Sequence, residues 1–192
     1  MPRKVPSRKS RRDEAAPSGF GPVLGGVDIR DVAGCSCLRL RRAARRVTAL
    51  YEEILAPSGL TIAQVGLLSY LYGTLVRTGG GLAVNALARV VDIDPTTLNR
   101  NLKPLRANGF VATGSDRKDR RIRTIRITKA GRTKLAAAIG LWRQAEDQLK
   151  ERLGPDTATA LGEILDRSTA RLSSEGTWTA MLAAAGFGPT AV

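Results

Sequence analysis

The chain contains no histidine and only two cysteines, Cys35 and Cys37, and this scarcity limits its chemistry. Without histidine, zinc sites that use imidazole ligands and catalysis by a histidine base are both excluded. The two cysteines lie too close in sequence to cross-link distant parts of a fold. Nucleophile motifs, phosphate-binding loops and paired catalytic carboxylates are also missing, so we expect neither an enzyme nor a bound cofactor or metal.

Long apolar segments are missing as well. No run of residues approaches the roughly 20 apolar positions that a helix needs to cross a lipid bilayer. The basic N-terminal segment is not followed by the apolar stretch of a secretory signal. We therefore expect a cytoplasmic protein that does not enter a membrane.

Negative charge is scarce relative to positive charge. The 192 residues include 31 Lys and Arg against 17 Asp and Glu, which gives a net charge of +14. Such a surplus favours a polyanionic partner, because each phosphate that a protein neutralises releases a counterion. Charge alone does not distinguish DNA from RNA or from an acidic membrane surface. Hydrophobic residues make up 43% of the chain, enough for an ordinary domain with a core.

The two ends of the chain differ from its middle. Residues 1–33 are rich in Pro, Gly, Ser and charge and show no helical periodicity, which predicts a flexible basic N-terminal arm. Such an arm either contacts DNA or is only a solvated tail. Residues 173–192 are apolar but interrupted by glycine, and we interpret them as a C-terminal tail that either docks on the protein or stays disordered.

Apolar residues repeat with helical spacing through most of the remaining chain. The patterns predict a first helix from Cys37 to Ala56, a second after the capping residue Thr61, and a short third from about Val84 to Val91. A long helix follows from Thr128 to about Leu153, and a last one from about Asp156 to Leu172. The residues expected to be buried in the second and last helices are Val65, Leu68, Leu71, Tyr72, Leu75, Leu161, Ile164 and Leu165.

A fourth helix is expected from Asp94 to Asn108. Asp94 is a favourable capping residue, and Pro95 fits the first helical position, where no amide donor is needed. Pro104 removes a hydrogen bond to the carbonyl of Arg100, so we expect a bend or an early loosening there. Leu98, Leu102 and Leu105 form the inward face. The opposite face presents Thr96, Thr97, Asn99, Arg100 and Lys103.

Two short strands, Phe110–Thr113 and Arg123–Thr128, follow this helix, and the turn between them is rich in basic residues. A helix with short polar side chains can read base edges in a major groove, while a neighbouring hairpin holds the backbone or the minor groove. The segment therefore predicts a mainly α fold with a small β-wing, a winged helix-turn-helix that binds double-stranded DNA. The charged residues of the wing are Arg117, Lys118, Asp119, Arg120, Arg121 and Arg123.

The order of elements resembles the MarR family of bacterial regulators over roughly residues 37–172. The segment DRKDRRIRTIRITKAGR matches the family pattern D-x-x-D-R-R…L-T-x-x-G, with Ile127 where leucine is common. The segment NALARVVDIDPTTLNRNLKPLRANGFV matches the third and fourth helices of the family. By this resemblance, Arg121 corresponds to the wing-tip arginine that enters the minor groove, Asp119 to the acid that orients it, and the outward face of the fourth helix to the base-reading face.

The resemblance also implies an obligate homodimer on a pseudo-palindromic operator. It divides the chain into a first dimerisation helix at 34–60, a DNA-binding domain at 61–128 and C-terminal dimerisation helices at 129–172. We expect Tyr51 and Trp142 to be core or dimer contacts rather than ligand-stacking residues.

Two groups of residues are candidates for regulation. Cys35 and Cys37 lie at a helix start, where the helix dipole favours the thiolate, and they are either redox or soft-metal sensors or two ordinary small residues. Three arginines on one face of the first helix either bind an anionic effector or are solvated and paired with acids such as Glu52 and Glu53. These arginines are Arg39, Arg42 and Arg46.

The chain as a whole favours a sequence-specific transcriptional regulator, a repressor that acts as a homodimer. Its DNA affinity would respond to a small anionic or aromatic effector or to oxidation. The alternative is an architectural protein that binds DNA with weak sequence preference, which the arm and the charge also fit. The ratio of affinities for specific and random DNA separates the two.

Overall fold

The computed structural model describes residues 23–115 and 120–172, and the chain divides into two compact units at Arg45 and Arg46. The first unit contains a hairpin of β1 (Val23–Leu24) and β2 (Val27–Asp28), followed by α1 (Ile29–Ala33). Two glycines with positive φ form the hairpin turn, and the side chain of Asp28 caps α1. Helix α2 (Ser36–Leu55) begins in this unit.

Residues 23–33 of the predicted flexible arm form this hairpin and α1, and the remainder of that arm lies outside the described residues. The hairpin strands are two residues each and α1 is five residues long. Elements this short have no periodicity that composition could show, because a glycine pair and a capping aspartate define them instead.

The second unit is mostly helical and carries one small sheet. A short 3₁₀ turn, Ala56–Ser58, connects α2 to the remaining helices. These are α3 (Ile62–Thr78), α4 (Val84–Val90), α5 (Pro95–Ala107), α6 (Lys129–Leu153) and α7 (Pro155–Leu172). The strands are β3 (Leu82–Ala83), β4 (Val111–Ser115) and β5 (Arg123–Ile127), in the antiparallel order β3-β5-β4. The predicted fold class, mainly α with a β-wing, is confirmed; β3 was not predicted.

Local side-chain signals set the helix starts. At α3, Thr61 and Gln64 form a reciprocal capping box, in which each backbone N–H donates to the other residue's side chain at 3.1–3.2 Å. The backbone N–H of Ile62 donates to the Glu52 carboxylate at 3.0 Å. Thr128 caps α6 by accepting from the Gly131 N–H at 3.0 Å. The predicted starts of these helices are thus confirmed.

The core lies between α2, α3, α5, α6 and the sheet. Its largest fully buried side chains are Leu55, Leu68, Leu71, Leu87, Leu98, Leu102, Leu105 and Ile125. Tyr51 is buried beside this core, and its hydroxyl donates to the Glu146 carboxylate. Burial, together with that hydrogen bond, raises the pKa of Tyr51 above its ordinary value. Trp142 is half-buried and packs against the same core.

Three residues expected to be buried are exposed. Tyr72 is 45% exposed although it lies seven residues after the buried Val65 on the same face of α3, so the buried part of that face does not extend to Tyr72. Ile164 and Leu165 are 51% and 42% exposed, and none of the residues of α7 is buried in the chain as described. The periodicity of α7 predicts an apolar face, and the residues that the structure describes leave that face uncovered.

Pro104 does not end α5. The helix continues to Ala107, and the expected early loosening is wrong. Three bonds close the last turn: the Asn108 N–H and its side-chain amide donate to the Pro104 carbonyl at 3.0 and 2.9 Å, and the Phe110 N–H donates to the Leu105 carbonyl at 2.9 Å. Gly109, with φ +68°, supplies the left-handed residue at which the chain turns toward β4.

Candidate nucleic-acid interface

Helix α5 is held at its start and along its inner face. Asp94 accepts from the Thr97 N–H at 2.9 Å, and its hydrogen bonds with Thr97 hold the pKa of Asp94 below its ordinary value. Leu98, Leu102 and Leu105 are almost completely buried. Because these leucines fix the rotation of the helix, the opposite face is turned away from the core.

The outward face of α5 carries the residues predicted to read DNA. Thr96, Asn99, Arg100 and Lys103 are exposed, whereas Thr97 is half-buried. The Thr97 carbonyl also accepts from the Asn101 side chain at 3.1 Å. Four of the five predicted residues therefore have side chains accessible to a partner, and Thr97 lies at the edge of that face.

The wing is built by β4 and β5, paired from Val111 opposite Ile127 to Ser115 opposite Arg123. Arg120, Arg121 and Arg123 are exposed on it. The other predicted wing residues, Arg117, Lys118 and Asp119, lie outside the described residues, and so does the expected contact between Asp119 and Arg121.

A cleft of about 870 Å³ separates α5 from the wing. Asn99 from α5 and Arg121 and Arg123 from the wing all line it, so the two parts of the predicted interface face one space. Two polar residues that were not predicted also line the cleft, Asn85 at the start of α4 and Arg106 in the last turn of α5. Helical spacing could have indicated Arg106, because it lies two turns after Asn99 on the same face.

The end of α5, the wing and α6 are locked together by backbone contacts. The Thr128 N–H donates to the Phe110 carbonyl at 3.0 Å, and the Thr128 hydroxyl donates to the Gly109 carbonyl at 2.7 Å. A Cβ atom on Gly131 would lie 2.0 Å from the Phe110 carbonyl oxygen. Thr128 and Gly131, the T-x-x-G part of the wing motif, thus fix the position of the reading helix relative to the wing.

The candidate regulatory residues lie just before α2 and along it. Cys35 is half-buried and Cys37 exposed, both as free thiols at the start of α2. Arg39, Arg42 and Arg46 are exposed along α2. Within the described part of the chain, no group of three or more Cys, Asp or Glu side chains could hold a metal ion.

A second cleft, of about 890 Å³, lies between α3 and α6 and was not predicted. Its walls are largely apolar, and its cations are Lys129 and Arg132. Leu135 and Ile139 form part of its floor, and the exposed ring of Tyr72 lies on the α3 side. The arrangement suits a small ligand with an aromatic body and an anionic group.

Across residues 23–115 and 120–172, no single helix is both long and apolar enough to cross a lipid bilayer. Two consecutive helical segments reach that length and composition only when combined across a bend of 72°.

Comparisons with known proteins agree with this architecture. A model of the MarR family matches residues 58–122. The transcriptional repressor CouR, solved on a 23-mer DNA duplex, is 27% identical with a TM-score of 0.63, and the match covers 74% of this chain and 98% of CouR. The M. tuberculosis regulator MosR, solved in complex with DNA, is 30% identical with a TM-score of 0.57, covering 72% of this chain and 99% of MosR.

A third similar structure shows the likeness of fold alone. BpsR of Bordetella bronchiseptica, whose DNA binding is regulated by 6-hydroxynicotinic acid, is 24% identical with a TM-score of 0.62. That match covers 71% of this chain and 94% of BpsR. Among curated proteins, none matches the chain in sequence.

Proposed function

Because the chain belongs to the MarR family of transcriptional regulators, we propose that it is a sequence-specific repressor that binds double-stranded DNA as a homodimer. The observation that carries the proposal is the cleft in which Asn99 of the reading helix faces Arg121 and Arg123 of the wing. A DNA strand between a major groove occupied by α5 and a minor groove occupied by the wing would pass through this space. Repression from a pseudo-palindromic operator on the chromosome would place the protein in the cytoplasm.

The proposed division of labour follows the positions of the side chains. Thr96, Asn99 and Arg100 near the start of α5 read base edges, with Thr97 and Lys103 at the borders of that surface. The wing arginines hold the duplex without reading its sequence. Helices α2, α6 and α7 form the dimer body, and the apolar face of α7 is the part of it that a second subunit would cover.

Fluorescence anisotropy with duplexes selected from a random pool tests this function. Wild-type protein should bind a selected duplex far more tightly than random DNA, and the logarithm of affinity should fall steeply with the logarithm of salt concentration. The slope is about 0.9 for each phosphate neutralised. An equal affinity for selected and random duplexes would instead favour the architectural alternative.

Arg121→Ala should weaken binding to selected and random duplexes by similar factors, because a wing contact holds rather than reads. Arg152→Ala is the matched control: it removes the same charge near the far end of α6, more than 20 residues from the cap Thr128. Unchanged affinity of Arg121→Ala for both duplexes would overturn the assignment of the wing.

We infer that DNA affinity is regulated by an aromatic anion bound in the cleft between α3 and α6. Tyr72 offers an exposed ring, and Arg132 offers a cation beside an apolar floor. Benzoate should lower DNA affinity, the neutral benzamide should not, and Arg132→Gln should remove the difference. If benzoate and benzamide act alike on the wild-type protein, this cleft does not select anions.

Oxidation of Cys35 and Cys37 is the alternative regulatory mechanism, because both thiols are free and Cys37 is exposed. Peroxide should then change the DNA affinity of the wild-type protein and leave the Cys35→Ser, Cys37→Ser double variant unaffected. A wild-type protein that keeps its affinity in peroxide would leave both cysteines without a regulatory role.

A further inference from the structure

Arg106 is half-buried in the last turn of α5, and its side chain lacks a hydrogen bond that would explain its position. Its Nε atom is buried and has no hydrogen-bond partner among the described residues. A buried donor on a charged group that lacks an acceptor is unfavourable, and native structures seldom keep one without a function. The backbone of this residue is well fixed, since its carbonyl accepts from the Gly109 N–H at 2.9 Å.

An anion could approach the Arg106 guanidinium from the cleft between α5 and the wing, which this residue lines. Arg106 lines that cleft together with Arg121 and Arg123, and Asn85 contributes a neutral amide from α4. No acidic side chain is among the described residues that line it. The guanidinium groups of Arg106 and Arg123 contribute positive potential to this space, which favours an anionic partner.

The position of Arg106 along α5 favours a phosphate over a base edge. In a reading helix the residues near the N-terminus contact bases, whereas Arg106 lies seven positions after Asn99, about 10 Å along the axis. Under the proposed function, the strand of DNA that separates the major from the minor groove would lie between α5 and the wing and would present phosphates there. A guanidinium can bind two phosphate oxygens at once, which suits this position.

We propose that Arg106 binds a backbone phosphate of DNA inside the cleft between α5 and the wing, with the Asn85 side chain as a second donor. This inference rests on the proposed function and adds a contact by a residue that belongs neither to the wing motif nor to the DNA-reading residues predicted on α5. The phosphate would contact the outer nitrogens of the guanidinium, because Nε itself is covered in the free protein and could gain an acceptor only if the side chain turned toward the cleft.

Binding of random and selected duplexes over a range of salt concentrations tests the proposal. Arg106→Gln should weaken both by a similar factor, about tenfold, and should lower the slope of log affinity against log salt by about 0.9 for each bound subunit. Arg106→Lys should keep the wild-type salt dependence but lose part of the affinity. Lysine retains the charge but lacks the paired N–H donors of a guanidinium. Arg152→Ala is again the control for loss of one charge.

The outcomes separate this inference from the proposed function. If wild-type protein fails to bind duplex DNA, the proposed function is wrong. If wild type binds and Arg121→Ala weakens binding while Arg106→Gln changes neither affinity nor slope, the inference alone is wrong. A change in sequence preference in Arg106→Gln would make the residue a base reader and overturn the phosphate assignment. If Arg106→Gln fails to fold, Arg106→Lys provides the test. Full wild-type affinity in Arg106→Lys would contradict a contact in which the guanidinium binds two phosphate oxygens.

Thermal unfolding in sodium phosphate, at constant ionic strength, distinguishes a DNA phosphate from a free anion. Under the proposal, millimolar phosphate stabilises wild-type protein little, and Arg106→Gln unfolds at the same temperature as wild type or slightly higher. A phosphate-dependent rise in Tm that Arg106→Gln abolishes, combined with unchanged DNA affinity, would identify a site for a free anion and overturn the DNA contact.

Discussion

Gly131 is the residue of the wing motif whose role is structural, because it allows close packing of α6 against the backbone of Phe110. A Cβ atom there would lie 2.0 Å from the Phe110 carbonyl oxygen and 2.8 Å from Cγ1 of Ile127. Neither neighbour can move freely, because the Phe110 carbonyl accepts from the Thr128 N–H and Ile127 is buried in the sheet. Glycine is therefore required for close approach of α6 to the start of β4, and its backbone needs no unusual conformation.

Gly131→Ala should destabilise the protein by about 3 kcal/mol or more, because the added methyl group would collide with backbone atoms. Gly140→Ala is the matched control in the same helix: its Cβ would meet nothing within 4 Å, and it should stabilise by about 0.5–1 kcal/mol. Urea denaturation of both variants measures the difference. Equal stabilities would show that α6 shifts to accept the methyl group.

Tyr51 makes a pH-dependent contribution to stability. Burial and the hydrogen bond to Glu146 raise its pKa in the folded protein above the ordinary value of 10.0. Below pH 10 the tyrosine is protonated in both states and the stabilisation is fully present. As pH rises through and above 10, the unfolded state loses the proton first, and stability is lost.

Tyr51→Phe should lower the stability by about 1 kcal/mol at neutral pH, because the Glu146 carboxylate loses a donor. The variant should also lose less of its remaining stability above pH 10 than wild type does. Tyr72→Phe, which alters an exposed ring, is the control and should follow the wild-type pH profile. Thermal unfolding from pH 7 to pH 11 measures both effects, and parallel profiles for wild type and Tyr51→Phe would contradict this account.

At the scale of secondary structure elements, the sequence predicted those features that depend on side chains a few residues apart. The caps Thr61, Asp94 and Thr128 each bind a backbone N–H within three residues, so local sequence contains the whole interaction. Strand β3 was missed because its two residues depend on pairing with β5, far along the chain. The cleft residue Asn85 was missed for the same reason, since it meets α5 and the wing only in the folded unit, whereas the helical spacing of Arg106 after Asn99 was a local signal that the sequence contained.

Helix α5 shows how tertiary contacts override a local preference. Pro104 cannot donate to the Arg100 carbonyl, and its ring crowds that turn. The helix nevertheless continues to Ala107, because Leu102 and Leu105 are buried on either side of the proline and three hydrogen bonds close the helix end. The stability of α5 therefore includes an unfavourable contribution that a substitution can remove.

Pro104→Ala should stabilise the protein by about 1–3 kcal/mol, since alanine restores the missing hydrogen bond and has the highest helix propensity. The gain is smaller than the full interior cost of proline, because the unfolded chain also becomes more flexible. Pro104 is exposed, so no core contact is lost. Urea denaturation measures the gain; a loss of stability would mean that the proline fits the helix end better than alanine does.

At the scale of the whole molecule, the exposed apolar face of α7 needs an explanation, because the described residues leave it uncovered. Ile164, Leu165 and Leu172 on α7 are 51%, 42% and 84% exposed, although the periodicity of that helix marks Ile164 and Leu165 as residues for burial. Periodicity indicates which side chains favour burial but not which chain buries them. An exposed apolar face on a C-terminal helix is the surface that a second subunit of a homodimer would cover.

The chain should accordingly be a dimer at micromolar concentration without DNA. Ile164→Asp combined with Leu165→Asp should give a monomer, because two carboxylates would be buried without partners in the dimer interface. Glu163→Gln combined with Asp166→Asn is the control on the opposite face of α7: it changes the net charge by two units in the opposite direction and should leave the dimer intact. Sedimentation equilibrium distinguishes the two states. Because α7 is covered by a partner only in a dimer, a monomeric wild-type protein would mean that this apolar face has another occupant, and the homodimeric part of the proposed function would be wrong.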